Sequence, residues 1–94
     1  MDFQTFHVSL QQDAPPADLS PLLQALWYDA QGDWDKAHDI AQEVHTNNGS
    51  WIHAYLHRKE GDNWNANYWY QRAGRSMPSS SLDEEWQSIV QELL

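Results

Sequence analysis

The sequence predicts an all-α domain: two helix-turn-helix units and a C-terminal capping helix, with a short extended arm in front. Three observations carry that reading. From Ser20 onward, apolar residues recur at helical spacing in successive short segments. Polar capping residues and glycines stand where those segments begin and end. Finally, sliding the chain by 29 residues aligns Ala25 with Ala54, Gly32 with Gly61, Asp33 with Asp62, and Ala37 with Ala66.

At the start of the chain, Phe6, Val8 and Leu10 alternate with His7 and Ser9. Period-two alternation predicts an extended arm or short strand. Pro15 and Pro16 make the following stretch a linker. Residues 1–19 are therefore read as arm and linker, and residues 20–94 as the helical domain.

Ser20 and Pro21 form a helix start: a hydroxyl that accepts an orphan N–H, then a proline whose missing N–H costs nothing there. Leu22, Leu23, Leu26, Trp27 and Ala30 give that first helix its apolar stripe, and Gly32 ends it. Asp33 caps the next helix, in which Trp34, Ala37, Ile40, Ala41 and Val44 share a side. Asn47, Asn48 and Gly49 read as a turn, so Ser50 is expected to cap the third helix, with Trp51, Ile52, Tyr55 and Leu56 inward. Gly61 breaks it and Asp62 caps a fourth helix carrying Ala66, Trp69, Tyr70 and Ala73. Ser81 and Glu84 make a capping box for a last helix with Trp86, Ile89, Val90 and Leu93 inward.

Small residues at helix contacts and a glycine at each corner give the 29-residue shift a physical meaning, because each helix pair needs a neighbour to cover its stripe. Residues 22–44, with Ala25, Tyr28, Gly32, Trp34 and Ala37, resemble a tetratricopeptide-type repeat. The ANYWYQRAG stretch from Ala66 to Gly74 is similar to the Sel1-like branch. The spacing is shorter than the usual 34 residues, and His57 stands where the first unit has Tyr28. The resemblance implies a protein-interaction scaffold.

A net charge of −9 argues against nucleic acid as a partner. With no cysteine there is no thiolate ligand and no cysteine nucleophile. No apolar run approaches the roughly 20 residues that span a bilayer, and a cytoplasmic protein is the expectation. Four of the five Lys/Arg residues nevertheless fall within residues 50–75. This basic and aromatic island points to a non-enzymatic interaction module, which presents Arg58, Trp69, Arg72 and Arg75 to a peptide or acidic partner. Trp64 and Trp69 count among the expected core aromatics, and Trp69 borders that surface as well.

His53 and His57, four apart on one helix, project together and suit a transition metal if a third ligand joins them. His38 and His45 join only if the two helix pairs oppose those faces. The alternative function is thus a small metal-dependent or acid–base enzyme using His53 and His57. No catalytic set is otherwise visible and no cofactor is implied. Asp29, Asp33, Asp35 and Asp39 read as a solvated acidic ladder. Apolar residues on the arm are expected to cover the flank of the first helix, within the chain or in a swapped homodimer.

Overall fold

Ser20, Asp33, Asp62 and Ser81 each accept a hydrogen bond from the backbone N–H three residues on, at 3.3, 3.1, 3.2 and 3.1 Å. These caps start four of the six helices in the computed structural model, which describes residues 1–94. The helices are α1 (Phe3–Ser9), α2 (Pro21–Ala30), α3 (Trp34–Gln42), α4 (Asn47–Lys59), α5 (Asn63–Arg72) and α6 (Leu82–Leu93). No strand is present. The fold is all-α, and none of its helices is long and apolar enough to cross a membrane.

The α2–α3 and α4–α5 corners follow the same backbone course. Gly32 and Gly61 take φ of 86° and 88°, the left-handed conformation that side chains disfavour. Behind each glycine, the N–H of Asp33 or Asp62 closes onto the carbonyl of Tyr28 or His57, at 3.0 and 2.9 Å. This is the Schellman arrangement, which satisfies carbonyls the ending helix would leave orphaned. Ala25, Ala37, Ala54 and Ala66 are fully buried, so the small residues sit inside the stack.

Leu26, Ile52, Leu56 and Tyr70 fill the centre, and α6 closes it with Ile89 and Val90. Two tryptophans tie the layers together by donating to helix carbonyls: Trp34 Nε1 to Leu56 at 2.8 Å and Trp86 Nε1 to Leu26 at 3.0 Å. Burying an indole N–H on a carbonyl satisfies both groups while the ring removes a large apolar area from water.

The N-terminal arm is helical where extended backbone was expected. Asp2 caps it by accepting from Thr5 N–H at 2.8 Å. Helical winding puts Phe3 and Phe6 against Trp86, with ring centroids 6.1 and 6.0 Å apart. Phe6 is 0% exposed, whereas Val8, expected on the same side, is in solvent. The arm does cover the flank of α2: Trp27 Nε1 donates to the Ser9 carbonyl at 3.3 Å, and Gln31 Nε2 to that of Leu10 at 2.8 Å.

Helix α4 also starts earlier than expected. Thr46, not Ser50, is its cap, accepting from Gly49 N–H at 3.1 Å. Asn47, Asn48 and Gly49 are its first turn. The composition of a turn was read correctly as a boundary, but on the wrong side of it.

Candidate functional site

Helix α5 positions two of the expected surface residues together. Arg72 lies one turn beyond Trp69 and Tyr68, and its guanidinium rests 5.0 Å from the Trp69 ring centroid and 5.8 Å from that of Tyr68. It also donates to the Tyr68 hydroxyl at 3.2 Å. The other two, Arg58 and Arg75, are elsewhere. Arg58 donates to Glu85 of α6 at 2.8 Å and to the Ser80 carbonyl. Arg75 covers the Trp51 ring at 3.4 Å from its centroid, with Glu92 3.9 Å away.

The four residues read as one surface therefore form two groups. Lys59 is also engaged, donating to the buried Asp29 at 2.8 Å, and Lys36 sits 4.4 Å over Tyr28. Arg72 has no carboxylate partner. Asp29, expected in a solvated ladder, is 2% exposed and takes a second bond from Tyr55 OH at 2.8 Å.

Trp64 differs from expectation too. At 78% exposure it stands on the outer face of α5, not in the core. Trp64, Tyr68 and Arg72 follow one another at four-residue spacing, so they line a single exposed stripe.

Behind this stripe, an aromatic stack runs inward. Trp69 lies nearly parallel on His53 with centroids 3.9 Å apart. His53 Nε2 is 3.0 Å from His38 Nε2 of α3, and His38 stacks in turn on Trp34 at 4.9 Å. His57, one turn along α4, stacks on His53 at 4.8 Å and bonds through Nδ1 to Glu60 at 2.6 Å. The faces of α3 and α4 do oppose one another, so His38 joins the pair that the sequence singled out. The potential ligand atoms of His38, His53 and His57 all lie within 4.8 Å of one another.

Burial, with His38, His57 and Arg72 as neighbours, pushes the His53 pKa down to about 4. Burial, followed by the nearness of His57, lowers that of His38. Both shifts favour the neutral imidazole. His45 is not in the cluster. It lines an open cleft of about 340 Å³ between the end of α3, the first turn of α4, and Trp69 and Arg72.

Glu85 is the residue that sequence reasoning missed. It reads as an acid in the first turn of an amphipathic helix, yet it is 3% exposed and accepts from Trp51 Nε1, Tyr70 OH and Arg58. The available signal was its place one turn before Ile89, on the inward face.

Compared with family models, with characterised proteins and with solved structures, the chain matches none.

Proposed function

We propose that the chain is a non-enzymatic interaction module of the helical-repeat kind, which binds an acidic peptide segment along α5. The observation that carries this reading is the stripe of Trp64, Tyr68 and Arg72. Two large aromatics are exposed there, beside a guanidinium that no carboxylate neutralises in a chain of net charge −9. Trp, Tyr and Arg are the residue types that dominate binding energy when an interface covers them.

Chemistry sets the character of the partner. A carboxylate on the peptide meets the Arg72 fork in bidentate geometry. An apolar residue of the peptide packs on Trp64, about two turns of α5 away from Arg72. The start of α4, whose first N–H groups carry partial positive charge, lines a cleft that Arg72 also lines and favours an acidic group there. The likeness of the two glycine–aspartate corners supports the kinship with tetratricopeptide and Sel1-like repeats, which is part of the same proposal.

The test is a peptide array carrying matched acidic and basic sequences with single aromatic or aliphatic residues. The wild-type protein is expected to enrich acidic peptides, and Trp64→Ala and Arg72→Ala are each expected to abolish the enrichment. Both side chains are exposed, so circular dichroism and melting should be unchanged. Equal retention of acidic and basic peptides, or full retention by both variants, would overturn the reading.

A further inference from the structure

We propose that His38, His53 and His57 form a site for one divalent transition-metal ion of the zinc class, bridging α3 and α4. It lies behind the peptide stripe, with Trp69 between His53 and Arg72, and its test does not rest on the peptide reading.

Three features of the cluster point to a ligand. The first is the number of rings. A direct hydrogen bond between His38 and His53 accounts for two imidazoles at 3.0 Å, but it gives no reason for a third imidazole to converge on the same point. The second is distance. Zn–N bonds of about 2.0–2.1 Å place the nitrogens of a tetrahedral site roughly 3.3 Å apart. One pair is already at 3.0 Å, and the full set spans no more than 4.8 Å. Closing the remainder requires His57 to shift toward the other two rings.

The third feature is the surroundings. His57 Nδ1 bonds to Glu60 Oε2 at 2.6 Å, so that nitrogen carries the proton and Nε2 is left as the donor atom. A carboxylate behind a ligating histidine fixes its tautomer and raises its basicity, the usual support in histidine metal sites. Trp34 and Trp69 wall the other two rings, each stacked on its histidine at 4.9 and 3.9 Å. Rings held this way lose little rotamer freedom when an ion binds.

An ion requires the neutral form of each imidazole. On binding, the proton shared between His38 and His53 moves to Nδ1 of the ring that carries it, by way of solvent. Both Nε2 lone pairs then face the ion, and no net proton is released. Three imidazoles leave a fourth position for water or for an exogenous donor. Nitrogen ligands of this kind suit zinc, copper, nickel and cobalt, and they disfavour calcium and magnesium.

The experiment uses the full chain, purified without a polyhistidine tag and stripped with chelator. Zn²⁺ is titrated by calorimetry and Co²⁺ by visible absorption. One ion per chain is expected, with Mg²⁺ showing no binding. Glu60→Gln is expected to weaken Zn²⁺ about tenfold; His38→Gln and His57→Gln should weaken it further and remove the tetrahedral Co²⁺ spectrum. His7→Gln, on α1, should change nothing.

His53 is buried and its substitution risks the fold, so the decision rests on His38 and His57, with circular dichroism to confirm folding. No binding by wild-type protein, or binding that survives both His38→Gln and His57→Gln, overturns the proposal. Arg72→Ala should leave Zn²⁺ binding intact, so failure of the peptide reading and failure of the metal site remain distinguishable.

Discussion

Arg58 and Glu85, 27 residues apart in sequence, meet at 2.8 Å and close α6 onto α4. Their side chains are 16% and 2% exposed, so this is a pair largely withdrawn from water. Trp51 N–H and Tyr70 OH fill the remaining acceptor positions of the carboxylate. Such a pair is costly to bury and worth little against an apolar replacement, but breaking it from one side strands a charge. Glu85→Ala strands Arg58, Trp51 and Tyr70 together. It is expected to cost about 3–5 kcal/mol, read as a fall in the urea midpoint of tryptophan fluorescence. Glu85→Gln keeps hydrogen-bonding capacity for Trp51 and Tyr70 and is expected to cost less than the alanine. Equal midpoints for Glu85→Ala and wild type would show that the pair closes nothing.

Two tyrosines bind buried carboxylates, which sets the alkaline limit of the fold. Tyr55 donates to Asp29 and Tyr70 to Glu85. Burial, then the Asp29 charge, raises the Tyr55 pKa above its ordinary value of 10.0. For Tyr70 the causes are burial and then the bond to Glu85. The folded state thus holds phenol protons that the unfolded chain releases. The stabilisation is complete below the unfolded pKa near 10 and is lost as pH rises above it. The denaturation midpoint is expected to fall steadily once pH passes about 10, with tyrosinate absorption from both residues appearing together with unfolding. Tyr70→Phe should lower stability at neutral pH and flatten the alkaline decline. A midpoint flat to high pH would contradict the assignment.

The N-terminal helix enters the core most deeply through Phe6, with Phe3 and Leu10 packed beside it. Phe6 is fully buried between Trp86 and the rest of the cluster, while its neighbours His7 and Val8 face water. Phe6→Ala is expected to cost about 3–5 kcal/mol, as removal of a buried aromatic does. Val8→Ala, exposed on the same helix, is expected to lie within about 0.5 kcal/mol of wild type. If both variants melted alike, α1 would be an appendage and not part of the fold.

Most of the fold was legible because its signals are local. Ser20, Asp33, Asp62 and Ser81 cap as read, since a side chain three residues from its N–H needs no tertiary information. The arm was misread because it holds two periodicities at once. Phe6, Val8 and Leu10 alternate, but Phe3, Phe6 and Leu10 share a helical face behind an Asp2 cap, and packing on Trp86 selects the second. At the candidate site, the His53–His57 pair was visible from its spacing. The arrival of His38 depended on how α3 meets α4, and the capture of Arg58 by Glu85 on how α6 lies across α4. Neither crossing is written in any single segment.

Gly49 gives the sharpest test of the misplaced helix start. Glycine inside a helix ordinarily costs about 1 kcal/mol relative to alanine, so Gly49→Ala would stabilise an open first turn. Here a Cβ on Gly49 would sit 2.0 Å from the Val44 carbonyl oxygen and 3.2 Å from Val44 Cβ. The obstacle is backbone, at the point where the chain leaves α3 and enters α4, and it cannot rotate away. Relief requires moving the α3–α4 connection, which also carries the Thr46 cap. The sign of the substitution therefore reverses: Gly49→Ala is expected to destabilise by about 1–3 kcal/mol or more, the usual range for overpacking. Asn48→Ala, exposed in the same turn, serves as the control and is expected to change little. Thermal melts of the two variants decide the point. A Gly49→Ala protein that melts at or above wild type would show that the Val44 carbonyl does not stand against a side chain at Gly49.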